Sequence, residues 1–143
     1  MRIISSKLLT SEIHPSAFTF SSKLRILEYR SSRRTTGNIP ILTSNIDLRF
    51  LNLSTNNFSG SIPNFGAQPN IYYCNLSNNN LSGNIPTLTN LTNLNFLYLH
   101  NNNFTSINEF KNLSRLRYFY AYNNQISGDI PSFEECPAIY YII

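Results

Sequence analysis

The chain has little charge, few cysteines and no long apolar run. Charged residues make up 13% of its 143 positions, there are two cysteines, and tryptophan is absent. A membrane-spanning helix needs about 20 consecutive apolar residues, and no segment approaches that length, so we expect no transmembrane segment. Residues 1–10 form no convincing secretory signal either, because Ser5, Ser6 and Lys7 interrupt their apolar stretch.

Patterns typical of catalysis and of metal binding are also missing. The two histidines are His14 and His100, the seven acidic residues are scattered, and Cys74 and Cys136 lack metal-ligand spacing. The glycines occur singly, so they form no phosphate-binding loop. We therefore expect a protein that is not an enzyme and that uses neither a metal ion nor another cofactor.

The net charge of +4 is concentrated near the beginning of the chain. Residues 1–34 carry +5 and the remaining residues carry −1. No nucleic-acid-binding motif accompanies these charges, and downstream the basic residues that could meet phosphate are Arg49, Arg115 and Arg117. We expect a solvated basic flank and no nucleic-acid partner.

An internal repeat dominates the rest of the chain. Four blocks align: LRFLNLSTNNF from Leu48, IYYCNLSNNNL from Ile71, LNFLYLHNNNF from Leu94 and LRYFYAYNNQI from Leu116. Their first positions are 23, 23 and 22 residues apart, and a fifth block begins at Ile139. All fit LxxLxLxxNxL, and three continue into Gly-x-Ile-Pro. Such a period predicts a solenoid that is stabilised by stacking of its repeats.

Each part of the repeat has a physical role. The Leu-x-Leu core predicts a short strand with apolar residues inward and variable residues outward, and successive strands form a parallel sheet. An asparagine follows each strand, where the chain turns inward and backbone groups need partners that a buried amide can supply. We expect a structural asparagine ladder of Asn56, Asn79, Asn102 and Asn124. A second apolar spine on the returning side would contain Phe65, Leu88, Phe110 and Phe133.

These repeats resemble a known family. The 23-residue spacing with NLSxNxLSGxIP is similar to the plant-type leucine-rich repeats of receptor-like kinases, receptor-like proteins and polygalacturonase-inhibiting proteins. The resemblance covers residues 37–143, with the last repeat truncated. It implies an α/β solenoid, a right-handed coil with a short-stranded parallel sheet on the concave face and an irregular or 3-10 convex side. It also implies an extracellular or cell-surface location.

Some parts of the chain depart from that pattern. Residues 1–36 are either degenerate N-terminal repeats or a flank, since residues 17–29 fit a repeat only loosely, at Ala17, Phe18, Leu24, Leu27 and Tyr29. The third repeat lacks Gly-x-Ile-Pro and is one residue short, so we expect its convex turn to differ from its neighbours. Cys74 replaces a core Leu and Cys136 aligns with Leu113, which predicts two free thiols in the core.

Seven Asn-x-Ser/Thr sequons occur within the repeats. The repeat consensus itself generates them, so their presence is no evidence of secretion, and the sequence leaves glycosylation open. They are Asn52, Asn57, Asn75, Asn80, Asn90, Asn103 and Asn112.

The outward strand positions are aromatic and carry the functional prediction. Because neighbouring strands lie about 4.8 Å apart, these side chains should form a continuous surface, here called the aromatic strip. Cross-strand aromatic contacts would stabilise the sheet, and the same rings would supply contact area for binding. Its residues are Phe50, Tyr73, Phe96, Tyr98, His100, Tyr118, Tyr120 and Tyr122.

We therefore expect a non-catalytic recognition module that binds a protein, peptide or carbohydrate on its concave aromatic face. The alternative is a structural or assembly segment of a solenoid, or a fragment of a larger receptor ectodomain. In that alternative the uncapped C-terminal edge, with Ile139, Tyr141, Ile142 and Ile143, would mediate self-association.

Overall fold

A computed structural model describes residues 2–6, 23–30, 35–42, 44–65 and 68–142, with residues 2–6 and 142 described by their backbone alone. Within these ranges the chain forms strands joined by turns and bends, with no helix. The strands are β1 (Arg2–Ser6), β2 (Ile26–Arg30), β3 (Thr36–Asn38), β4 (Phe50–Asn52), β5 (Asn57–Gly60), β6 (Tyr73–Asn75), β7 (Asn80–Ile85), β8 (Phe96–Tyr98), β9 (Asn103–Ile107), β10 (Tyr118–Tyr120) and β11 (Tyr141–Ile142).

The predicted parallel sheet is present and has seven strands, in the order β1-β2-β4-β6-β8-β10-β11. Every neighbouring pair is parallel. Equivalent repeat positions pair directly, so that Phe50 is opposite Tyr73, Tyr73 opposite Phe96, and Phe96 opposite Tyr118. The solenoid architecture predicted from the repeats is confirmed.

A second sheet, which the repeat pattern did not predict, forms where each chain segment leaves the first. Its four parallel strands are in the order β3-β5-β7-β9. The pairing of β7 with β9 shifts in register between Gly83 and Asn84. Gly83 is opposite Phe104 and Asn84 is opposite Ser106, so Thr105 of β9 is an extra residue in this pairing. β9 belongs to the repeat that is one residue short, and the course of that repeat differs here from that of the preceding one.

The core fills the space behind the seven-stranded sheet. Leu51, Cys74, Leu97 and Phe119 occupy the central inward position of four successive strands and are at most 1% exposed. Each repeat thus buries its apolar side chains against its neighbours, as stacking requires. On the returning side, Phe65, Leu88 and Phe110 are buried and Phe133 is partly buried against them.

Both cysteines are buried free thiols, as predicted. Cys74 is fully enclosed, and burial raises its pKa to about 12. Burial and, secondarily, the charge of Glu135 raise the pKa of Cys136. Burial therefore disfavours the thiolate, which is the reactive form, at both positions.

The first sheet continues upstream of residue 37. β1 and β2 pair in it over five residues each, and Leu24, Leu27 and Tyr29 of the β2 segment are buried. Ala17, Phe18, Ile143 and the side chain of Ile142 lie outside the described residues. The division into residues 1–36 and 37–143 stays a prediction. No helix in the described ranges is long and apolar enough to cross a membrane.

Candidate functional site

The ladder asparagines fix the ends of the strands that carry the aromatic strip. Asn79 is typical: its Nδ2 donates to the carbonyl oxygens of Leu53 at 2.9 Å, Leu76 at 3.1 Å and Ser77 at 3.2 Å. Its Oδ1 accepts from the backbone N–H of Phe58 at 3.0 Å. Two of these partners belong to the preceding repeat, so the amide binds neighbouring repeats to one another.

The same arrangement recurs along the solenoid. Asn102 donates to the carbonyls of Leu76 in the preceding repeat and of Leu99 in its own repeat, and it accepts from the N–H of Leu81. Asn124 repeats this pattern with Leu99, Ala121 and Phe104. Asn56 donates to the carbonyls of Tyr29, Leu53 and Ser54. The strip is therefore held on a rigid frame.

The residue before each ladder asparagine has a left-handed backbone. Asn78, Asn101 and Asn123 have φ of 56°, 56° and 53°, and asparagine tolerates this region better than most residues. Their side chains form an exposed row in which Nδ2 of Asn101 and of Asn123 donate to the preceding Oδ1 at 2.7 and 2.8 Å. The first repeat has Thr55 here with φ 58°, a strained choice for a β-branched residue.

The first column of the strip is a stack of rings. Phe50 and Tyr73 are parallel with centroids 4.3 Å apart, and Phe96 and Tyr118 are parallel at 4.9 Å. Tyr73 and Phe96 join these two pairs at 6.0 Å in a tilted geometry. Tyr141 continues the stack beyond Tyr118 at 5.7 Å.

The second and third columns become aromatic from β8 onward. Tyr98 and Tyr120 lie 5.2 Å apart, and His100 stacks on Tyr122 at 4.5 Å with an interplanar angle of 12°. Tyr98 also contacts Tyr73 of the first column at 5.5 Å. The structure thus brings all eight residues of the strip into one chain of ring contacts.

The same columns are polar on β4 and β6, where they satisfy their own hydrogen bonds. Oδ1 of Asn52 accepts from the N–H and the Oγ of Ser54, and Oδ1 of Asn75 accepts likewise from Ser77. Asn52 is 5% and Ser54 8% exposed. These groups have little left to offer a ligand.

The tyrosines from β8 onward differ, because their hydroxyl groups make no hydrogen bond to the described residues. Within the described part of the chain, the hydroxyls of Tyr98, Tyr118, Tyr120 and Tyr122 have no hydrogen-bond partner, and Nδ1 of His100 is buried without one. Burial lowers the pKa of His100, so its neutral form is favoured. Burial, followed by neighbouring tyrosines, raises the pKa of Tyr98, which therefore stays a hydroxyl donor.

A basic pocket adjoins the strip at the beginning of the strands. It has a volume of about 430 Å³ and no acidic residue in its lining, which consists of Arg49, Asn70, Tyr72, Asn93, Asn95, Phe96 and Arg115. Phe96 belongs to both the pocket and the strip. Arg115 donates to Oδ1 of Asn93 at 2.8 Å, whereas Oδ1 of Asn95 is buried without a partner among the described residues.

The repeats match a family model described as Leucine Rich Repeat at residues 47–67, 70–91 and 93–113. Among solved structures, the LRR ectodomain of the receptor kinase SOBIR1 from Arabidopsis thaliana is 34% identical with a TM-score of 0.73, covering 88% of this chain and 69% of that one. The chain belongs to the plant-type leucine-rich-repeat proteins.

Two further leucine-rich-repeat ectodomains from Arabidopsis thaliana are similar. The BIR2 ectodomain is 36% identical with a TM-score of 0.68, covering 78% of this chain and 61% of that one. The ectodomain of the membrane receptor kinase GASSHO1/SCHENGEN3, in complex with CASPARIAN STRIP INTEGRITY FACTOR 2, is 34% identical with a TM-score of 0.70. That match covers 77% of this chain and 14% of the receptor chain. No curated protein matches this chain.

The leucine-rich-repeat pattern located the strip but missed two features beside it. The burial of Asn52 was not foreseen, because its column was assigned to the solvent side; the serine two residues later was the available signal. The basic pocket was also missed, since Arg49 and Arg115 come from different repeats. In the described ranges no group of three or more His, Cys, Asp or Glu side chains could hold a metal ion.

Proposed function

We propose that this leucine-rich-repeat chain is a non-catalytic recognition module that binds a protein, peptide or carbohydrate on the concave aromatic strip. The observation that carries the proposal is the unbroken chain of ring contacts from Phe50 to Tyr122, whose C-terminal hydroxyls are unused. The similar ectodomains of plant receptor kinases support it, one of them being described in complex with CASPARIAN STRIP INTEGRITY FACTOR 2.

The energetics favour this surface over the rest of the molecule. Tyrosine rings supply large apolar area with few rotatable bonds, so little entropy is lost when a ligand contacts them. The rigid frame below them reduces the cost further, because the strip does not have to be organised on binding. A ligand that donates or accepts hydrogen bonds would pair with the free hydroxyls of Tyr98, Tyr120 and Tyr122.

The basic pocket adds a preference for an anionic group. Two guanidinium groups without a lining carboxylate attract a carboxylate or a similar anion, and the shared Phe96 places that group next to the strip. We propose a ligand with an apolar or aromatic segment and a neighbouring negative charge. An extracellular or cell-surface location follows the receptor ectodomains that the chain resembles.

The test is selection of ligands from a displayed random-peptide library and from a glycan array. Replacing Tyr98 and Tyr120 together by Ser should weaken binding of the selected ligands by about 30-fold or more, since truncating a central aromatic contact typically costs about 2 kcal/mol or more. The melting temperature should barely change, because outward rings contribute little to the core. Tyr140→Ser is the matched control: Tyr140 is 74% exposed and lies outside the strip.

Two outcomes would contradict the proposal. If the double variant binds the selected ligands as the unaltered chain does, the strip is not the binding surface. If it instead unfolds at a much lower temperature, the rings act mainly in stabilising the sheet.

Self-association is the second candidate function, favoured by exposed aromatic groups at β11. Tyr140 is 74% and Tyr141 44% exposed, and β11 pairs with β10 on one side in the described structure. A second copy or a following repeat would cover the same residues. Sedimentation of the 143-residue chain over a range of concentrations decides between them: a monomer throughout would reject self-association.

A further inference from the structure

The side chains of this protein that lose an electron most readily are tyrosines, and most of them lie on the aromatic strip. Tryptophan is absent and there is one methionine, at the first position. Both cysteines are buried, and burial raises the pKa of each thiol, which disfavours the easily oxidised thiolate. Five of the nine tyrosines belong to the strip. A one-electron oxidant that contacts this surface therefore acts on tyrosine.

The second column of the strip places two of these tyrosines side by side. Tyr98 of β8 is opposite Tyr120 of β10, and their ring centroids are 5.2 Å apart at an interplanar angle of 48°. A tilt suits a carbon–carbon bond between the rings, because the hydrogens beside such a bond would clash if the rings were coplanar. Both hydroxyls lack a hydrogen-bond partner among the described residues, so neither ring is held by its oxygen.

Tyr73 of the first column is also near this pair, but it is fixed by its neighbours. Its ring centroid lies 5.5 Å from that of Tyr98. The ring is stacked on Phe50 at 4.3 Å, and its hydroxyl accepts a hydrogen bond from Nδ2 of Asn75 at 3.3 Å. Turning the ring toward Tyr98 would break both contacts.

The tyrosine pairs nearer the C-terminus are less suited to bond formation. Tyr118 and Tyr141 are 5.7 Å apart, and Tyr118 is also stacked on Phe96 at 4.9 Å. The rings of Tyr140 and Tyr141 are closer, at 4.8 Å. These two residues are adjacent in the chain, however, so a bond between their rings would close a strained cycle through the peptide group.

Tyr122 gives an oxidant access to the pair in the second column. It is 42% exposed, and its ring centroid lies 6.5 Å from that of Tyr120. An electron removed from Tyr122 can be replaced over this short distance by one from Tyr120. Because both groups are phenols, the exchange requires little free energy, and the oxidised state reaches the half-buried pair.

The geometry points to an oxidative cross-linking site at Tyr98 and Tyr120, where a haem peroxidase that uses hydrogen peroxide joins the two rings. Each phenol loses one electron and one proton, and the two radicals form a bond between one Cε of each ring. The hydrogen on each of these carbons then moves to the oxygen, which restores both phenols. Hydrogen peroxide takes up the two electrons and two protons and becomes two molecules of water. Because the rings are held together, the radicals meet within one chain.

The bond would connect β8 to β10 and act as a covalent lock between neighbouring repeats. It closes a loop between residues 98 and 120, and a closed loop leaves the unfolded chain fewer conformations. The folded solenoid is thereby stabilised. The bond also joins two rows of the proposed ligand surface, and this last consequence alone rests on the proposed function.

The experiment treats a dilute solution of the 143-residue chain with a haem peroxidase and limiting hydrogen peroxide. We expect dityrosine fluorescence in a product of monomer size that is two hydrogen atoms lighter, and fragment mass spectra that join Tyr98 to Tyr120. Its melting temperature should be higher by about 5 °C or more. Cross-links at another pair, or only between chains, would overturn the site, and an unchanged melting temperature would overturn the lock.

Substitutions by phenylalanine test the assignment, because they keep the ring and remove the phenol. Tyr98→Phe and Tyr120→Phe should each abolish the cross-linked monomer. Tyr141→Phe is the matched control: it removes both pairs nearer the C-terminus and should leave the yield unchanged. An undiminished yield in Tyr98→Phe, or its loss in Tyr141→Phe, would refute the assignment. The assay contains no ligand, so the cross-link and the proposed binding function can fail separately.

Discussion

The two halves of the solenoid use the same positions differently. On β4 and β6 the second outward column has Asn52 and Asn75, which accept hydrogen bonds from nearby serines, whereas on β8 and β10 it has Tyr98 and Tyr120 with free hydroxyls. The earlier half therefore satisfies its polar atoms internally, whereas the later half has the free hydroxyls on which the proposed binding role depends. The same outward column thus differs in chemistry between the two halves of one sheet.

The interior has a similar division on the convex side. A single column contains Asn45 and Gln68 in the earlier repeats, then Leu91, Leu113 and Cys136 in the later ones, and all five are buried. Nε2 of Gln68 donates to the carbonyl of Leu42 at 2.5 Å, while its Oε1 is buried without a partner among the described residues. The earlier repeats thus have a less favourable core than the later ones.

Exchanging the two kinds of core residue should have the largest effect. Leu91→Gln should destabilise the fold by roughly 3 kcal/mol or more, because it removes buried apolar area and buries an unpaired amide. Gln68→Leu should be neutral or stabilising by up to about 1 kcal/mol, because the carbonyl of Leu42 keeps the N–H of Asn45 as a partner. Urea unfolding measures both. If the two variants lose the same free energy of unfolding, the earlier and later repeats do not differ at this core position.

The asparagine ladder should matter in both halves but more where it is enclosed. Asn79→Ala leaves the N–H of Phe58 and several carbonyls with fewer partners and should cost roughly 1 to 3 kcal/mol. Asn124→Ala should cost less, since most of the residues that follow it are exposed. Thermal unfolding of the two variants gives the comparison, and an unchanged midpoint for Asn79→Ala would refute the structural role of the ladder.

Thr55 gives a way to improve the earlier half. Thr55→Asn should stabilise the chain by about 1 kcal/mol, because asparagine tolerates the left-handed backbone that a β-branched residue resists. It would also extend the surface row of Asn78, Asn101 and Asn123 by one member. Denaturant midpoints test this, with Thr55→Ala as the control that lacks the amide. A loss of stability with Asn would show that the threonine is favoured there.

The smallest expected effect is the pH dependence of stability that His100 causes in the later half. Burial holds the pKa of His100 below the ordinary value of about 6.5, so the unfolded chain takes up this proton first as the pH falls. Stability should therefore decline from just above that value down to the lower folded-state pKa and then level off. Melting temperatures of the unaltered chain and of His100→Gln between about pH 8 and about pH 5 isolate the contribution. If the melting temperatures of the two proteins change in parallel with pH, His100 does not contribute to the pH dependence of stability.

The sequence predicted the seven-stranded sheet well because the same alternation of apolar and variable residues recurs in every repeat. Inward Leu51, Leu97 and their equivalents alternate with variable residues, and each repeat confirms the others. The second sheet had no such signal, since Asn57–Gly60 has one buried apolar residue among polar and glycine positions. The basic pocket was not predictable either, because Arg49 and Arg115 meet only through the stacking of different repeats.

The direct register of the seven-stranded sheet determines how this surface can change. Because each outward residue is opposite its equivalent in the next repeat, the face is a grid with one strand per row, about 4.8 Å apart. A substitution at one outward position changes only that point of the surface, because the inward leucines hold the other outward residues in place. Duplication or loss of a whole repeat would add or remove a row without turning any outward residue inward. A new specificity can therefore be assembled row by row on an unchanged scaffold.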